Sequence, residues 1–129
     1  MNLTLANTIF KSWEKGEQTG NYEEFKKHLS TEFIQFSHPL LGKFQGKKAL
    51  EQLLKLIEER EVVSNNLTFS NIKITYGDNH VVFQFDSKGM VQNNSFSYKG
   101  FNSISFEFKV NKLIGFQEYF GYVNPNWFK

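Results

Sequence analysis

Two side chains in this sequence, His38 and Glu118, combine a titratable group with apolar neighbours at strand spacing. Alternation along Phe33-Ile34-Gln35-Phe36-Ser37-His38 puts Ile34, Phe36 and His38 on one face, so an imidazole closes an apolar row. That ring titrates at about 6.5 when unperturbed and can take and return a proton at cellular pH. In Phe116-Gln117-Glu118-Tyr119-Phe120 the same period puts Glu118 on one face with Phe116 and Phe120, and Gln117 and Tyr119 on the other. An ionised carboxylate buried between two rings needs a partner or a proton.

The remaining chemistry-bearing residues form no known pattern. His28 sits beside Phe25 and Leu29 at the edge of a core, and His80 ends an exposed turn, Gly77-Asp78-Asn79-His80. Neither has a histidine four residues away, so no metal site is expected. The absence of cysteine removes disulfides, thiolate nucleophiles and cysteine-ligated metals together. There is no Ser-His-Asp signature, phosphate loop or Gly-x-Gly-x-x-Gly run, and no cofactor is expected. Gly42 and Gly46 read as turn residues.

The elements that must position these groups follow from composition and period. A chain of 129 residues, 40% hydrophobic and 22% charged, reads as one soluble domain over 1–129. Its 15 phenylalanines call for a broad, strand-rich core. A net charge of +2 without a long basic run argues against nucleic acid. The first residues lack a basic start followed by an apolar run, and no segment approaches the roughly 20 apolar residues of a membrane span. A cytoplasmic location is the expectation.

Leu5, Ile9, Phe10 and Trp13 mark a first helix over about 2–15, with Gly16 as its stop. Asn21-Tyr22-Glu23-Glu24 signals a second, with Tyr22, Phe25 and Leu29 on its apolar face. After the strand at His38 and a glycine-bracketed loop, a third helix runs from Gly46 to about Arg60. Ala49, Leu50, Leu53, Leu54 and Ile57 form its buried stripe, opposite a solvated charged face. Strand-like segments follow near 62–76, 80–88, 94–109 and 113–123. Turns are expected at 76–79, 87–89 and 110–112, and a bulge near Ser70-Asn71. Helices segregated from a long antiparallel sheet give an α+β domain.

This order resembles the nuclear transport factor 2-like superfamily, which includes ketosteroid isomerases and SnoaL-like polyketide cyclases. The resemblance spans the chain. It rests on the element order, the strand–His38-Pro39–loop–Gly46-Lys47-Lys48-Ala49-Leu50 transition, and the last strand, Phe116 to Phe120. It implies a cone-shaped fold, with three N-terminal helices packed on a strongly curved, mainly antiparallel sheet around a hydrophobic cavity. In the isomerases, an aspartate before a proline shuttles a proton where this chain has His38. A tyrosine and a protonated acid polarise the substrate there, and the matching positions are Phe10 and Ile104, which donate no hydrogen bond. Steroid isomerase activity is therefore disfavoured.

The resemblance implies that Phe116, Glu118 and Phe120 line the cavity. His38 then faces Glu118 across its mouth, the carboxylate fixing the tautomer while the other ring nitrogen works on substrate. Phe10, Trp13, Phe36, Asn102, Ile104, Phe116 and Phe120 are the expected ligand contacts, with Asn102 placed to bond a carbonyl or hydroxyl. The expected partner is a small hydrophobic molecule, and a homodimer the expected assembly. Three functions stay open: proton transfer of the isomerase or cyclase type by His38 and Glu118, non-catalytic ligand binding, and an interaction module whose outer sheet face bears Phe101, Gln117 and Tyr119. The aromatic run Tyr122 to Phe128 would cover the mouth, pack under the sheet or join an interface.

Overall fold

A computed structural model describes residues 2–121; the aromatic run 122–128 lies outside them. Helices α1 (Leu3–Thr19), α2 (Glu23–Lys26) and α3 (Lys47–Val62) accompany six strands. These are β1 (Gln35–His38), β2 (Gly42–Gln45), β3 (Asn66–Gly77), β4 (His80–Val91), β5 (Phe96–Lys109) and β6 (Lys112–Phe120). They form one sheet in the order β2-β1-β6-β5-β4-β3, antiparallel except where β1 runs parallel to β6. This is the expected α+β cone, with helices packed on a mostly antiparallel sheet. Among the described residues no helix is long and apolar enough to cross a membrane.

The core lies where α1 and α3 meet the inner face of the sheet. Phe10 stacks on Phe83 at 4.2 Å between ring centres and meets Phe85 edge-on at 5.3 Å. Trp13 packs against Phe25 at 4.9 Å and Phe116 at 4.8 Å. Each such ring removed from water contributes about 1.5–3 kcal/mol, and the edge-on pairs add to that.

Several elements differ from what the sequence suggests. Helix α1 runs through Gly16 and stops at Gly20, whose φ of 82° makes the left-handed cap. A Cβ on Gly16 would stand 2.1 Å from Tyr22 Cδ1, so this glycine admits a ring and does not end a helix. Helix α2 is a single turn, although Asn21 Oδ1 does accept the Glu23 N–H at 3.0 Å. In α3 the buried stripe takes Leu56 with Ala49, Leu53 and Ile57, while Leu54 is exposed and Leu50 only partly covered.

The stretch after His38 is not a plain loop: β2 folds back on β1, pairing Phe44 with Phe36. Ile34 precedes the strand and is 42% exposed, whereas Phe33 is buried, so strand alternation begins only at Gln35. The bulge does fall between Ser70 and Lys73, with Asn71 at φ 53°. Gly89 lies inside β4, and the turn comes later, at Gln92–Asn94. A Cβ on Gly89 would stand 2.1 Å from the Asn66 carbonyl oxygen, so this residue permits β3 and β4 to approach.

Candidate functional site

Four elements each carry an apolar stripe towards one end of the cone and finish it with a polar side chain. On α1 the stripe Phe10, Trp13 continues to Glu17, one turn beyond the indole. On α3 the stripe Leu53, Leu56, Ile57 continues to Arg60. On β1 Phe36 is followed on the same face by His38, and on β6 Phe116 by Glu118. Because β1 and β6 are paired with Phe36 opposite Phe116, their next same-face residues also come together.

Arg60 is the centre of the cluster. Its Nη2 donates to Glu118 Oε1 at 2.8 Å and its Nη1 to Glu118 Oε2 at 3.2 Å. Nη1 also donates to Glu17 Oε1, and Asn65 Nδ2 donates to Glu17 Oε2 at 2.8 Å. The guanidinium lies 5.6 Å from the centre of the Trp13 ring, within cation–π range. Both carboxylate side chains are 4% exposed and that of Arg60 15%.

One cation therefore faces two buried acids. Burial pushes the Glu17 carboxyl up from its ordinary value; Arg60 opposes this and Glu118 reinforces it. Burial works against the charge on Arg60, but Glu118 and Glu17 outweigh it and keep the guanidinium protonated. The Tyr22 hydroxyl is buried beside Glu17 without a hydrogen bond of normal geometry, and burial, with Glu17 adding, raises its pKa.

His38 is held differently from the expectation. Its Nδ1 accepts from the Leu40 N–H at 3.1 Å and the Leu41 N–H at 3.3 Å, so Nδ1 carries the lone pair and the proton sits on Nε2. Nε2 faces Glu118 Oε1 at 3.5 Å and is sealed from solvent. Burial lowers the His38 pKa, opposed by Glu118 and reinforced by Arg60. The expected pair is thus side by side, but no ring nitrogen is left open for substrate. The second nitrogen holds the turn after Pro39 instead.

Beside this cluster opens a cavity of about 670 Å³. His38, Glu118, Asn102 and Phe120 line it, together with Glu17, Arg60, Asn65 and Tyr98. Leucines 40 and 41, 79% and 45% exposed, stand at its edge. Phe120 meets the His38 ring edge-on at 5.4 Å. The other expected ligand contacts, Phe10, Trp13, Phe36, Ile104 and Phe116, are buried to within 2% and lie in the packed core. They share the inward face but sit deeper, where the helix rings fill the space.

Glu17 and Arg60 do not stand out in the sequence, yet both continue the buried stripes of their helices at i+3 or i+4. That spacing is the signal that marks them. Elsewhere, His80 Nδ1 lies 2.5 Å from Glu107 Oε1 on the surface, away from the cavity.

No family model and no curated protein matches this sequence. Solved structures do. A nuclear transport factor 2-like protein from Anabaena variabilis is 25% identical, with a TM-score of 0.74 over 94% of this chain and 90% of that one. A protein assigned as a polyketide cyclase from Xanthomonas campestris is 12% identical, with a TM-score of 0.70 over 98% and 96%. An LEH-like epoxide hydrolase from M. tuberculosis is 12% identical, with a TM-score of 0.64 over 92% and 84%.

Proposed function

From the premise that this chain has the nuclear transport factor 2-like fold, we propose that it holds a small hydrophobic, carbonyl-bearing molecule in the cavity and moves a proton on it. The observation that carries this reading is the pair of buried carboxylates sharing one guanidinium. Two acids whose surroundings differ divide the labour of acid and base. Glu17, pushed up by burial, is the acid, and Glu118, gripped through both oxygens by Arg60, is the base. His38 positions Glu118 through Nε2 and anchors the Leu40–Leu41 turn through Nδ1. That several proteins of this fold carry enzyme names, a cyclase and an epoxide hydrolase among them, supports chemistry in such a cavity without naming the substrate.

The test uses 1-indanone in D2O, with α-deuteration followed by proton NMR. The wild-type protein is expected to accelerate exchange, and Glu118→Gln to lose about 10²-fold or more of that acceleration while staying folded. Exchange no faster than in buffer, or equally fast with Glu118→Gln, would overturn the assignment. Binding of 1-indanone without any exchange would favour the non-catalytic carrier.

One observation favours an assembly of two copies as well. Phe101 is 81% exposed and Tyr119 43%, on the face of the sheet turned away from the helices. Analytical ultracentrifugation is expected to show a dimer that Phe101→Lys dissociates. A monomer at high concentration would remove this reading.

A further inference from the structure

Tyr98, Gly100 and Asn102 lie on one face of β5, at every second residue, and Tyr98 and Asn102 both line the cavity. The tyrosine side chain lies along the strand over Gly100. A Cβ on that glycine would stand 2.6 Å from the Tyr98 hydroxyl oxygen and 3.0 Å from Cζ. The missing side chain is therefore what allows the phenol to reach forward, where it donates to Asn102 Oδ1 at 2.9 Å. A carboxamide has one acceptor end and one donor end. With Oδ1 turned to the phenol, the Nδ2–H pair is the end of the amide that has no hydrogen-bond partner among the described residues.

The position of this amide relative to the charged cluster follows from register. Asn102 is paired with Phe120, and Ile104 with Glu118, so Asn102 and Glu118 are diagonal neighbours on the inward face. Such neighbours stand about 7–8 Å apart. An oxygen held at the amide places a carbon two or three bonds away within reach of the Glu118 end of the cavity.

We infer that Tyr98, lying over Gly100, fixes the orientation of the Asn102 amide so that its Nδ2–H pair forms a donor subsite that selects a ligand bearing a carbonyl oxygen. This rests on the proposed function and supplies what it lacks, the group that recognises the oxygen. Tyr98 here is a positioning residue and acts through Asn102. Gly100 is the residue that makes the arrangement possible.

The experiment compares 1-indanone with indane, which has the same ring system and no oxygen. Binding is followed by 15N–1H NMR of the folded chain. Wild type is expected to bind the ketone about 5–10-fold more tightly than the hydrocarbon, a single hydrogen bond's worth, with the Asn102 side-chain amide shifting only for the ketone. Asn102→Leu should bind the two equally. Asn102→Asp, which keeps the shape and replaces donors by acceptors, should lose the preference too, so the proposal stays testable if the leucine variant fails to fold. Tyr98→Phe releases the amide to turn and should reduce the ratio of ketone to indane affinity.

Equal affinity of wild type for ketone and hydrocarbon would overturn the subsite while leaving the apolar cavity standing. So would a preference that survives in Asn102→Asp. Failure of both molecules to bind at saturating concentration would overturn the cavity reading, and this one with it.

Discussion

Trp13, Phe36, Ile57 and Phe116 meet in a packed aromatic and aliphatic core, while a few residues further along the same elements Glu17, His38, Arg60 and Glu118 meet in a charged cluster beside a cavity. The two regions share backbone, helix faces and strand faces. They differ in what fills the space. In the first, the Trp13 ring sits 4.8 Å from that of Phe116 and 4.9 Å from that of Phe25, and the side chains are almost fully buried. In the second, each group is fixed by directed bonds to its neighbours, and room remains. The core is closed by packing and the cluster by directed bonds, and substitutions can separate the two.

The largest effect is expected in the core. Phe116→Ala should cost about 3–5 kcal/mol in denaturant unfolding, because the ring is buried and its neighbours are themselves held. Arg60→Met should cost a similar amount, about 3–5 kcal/mol, for a different reason: it removes the donor that two buried acid side chains share. Replacing all three side chains, Glu17→Leu with Arg60→Met and Glu118→Leu, should be far milder than Arg60→Met alone, even neutral, because no buried polar group is then left without its partner. No set of substitutions that empties the core should show such recovery. If the triple variant is as unstable as the single, the cluster is a stability element and the comparison fails.

Gly16→Ala tests the border between the regions. Its methyl would collide with the Tyr22 ring, and about 1–3 kcal/mol should be lost in the same assay.

The smallest effects are in pH. The folded pKa of His38 is lowered, so the unfolded chain binds its proton more readily. This contribution is complete above the unfolded value of 6.5 and is lost as pH falls from there through the lower folded value. Glu17 has the opposite sign. Its folded pKa is raised, so its contribution is complete below 4.5 and is lost as pH rises through the folded value. Unfolding free energies across pH should therefore lose the acid-side slope near neutrality in His38→Asn, and lose the second slope in Glu17→Gln. Unchanged profiles in both variants would contradict the assigned shifts.

How much of this is legible in the sequence depends on which period carries it. His38 and Glu118 stand out because a polar residue in a two-residue apolar rhythm is conspicuous, and the structure does bring them together. Glu17 is hidden because Gly16 looks like a helix end until Tyr22 is seen to need the space. Arg60 is hidden among the many charges of α3, although it falls on the buried stripe and not opposite it. Asn102 and Phe120 line the cavity, whereas Phe10, Trp13, Phe36, Ile104 and Phe116 lie in the core. Alternation tells which face a residue takes but not how far along that face the packing ends. The roles of the two nitrogens of His38 depend on backbone donors two and three residues on, which no side-chain pattern reveals.

The acid role proposed for Glu17 requires its carboxyl to hold a proton above the ordinary carboxylate range. Carbon-13 NMR of the side-chain carboxyl groups through a pH titration of the folded protein measures it. The carboxyl of Glu17, identified by its loss in Glu17→Gln, is predicted to titrate clearly above the ordinary 4.5. A midpoint at or below that value would show that burial does not raise the Glu17 carboxyl, and would contradict its role as the acid.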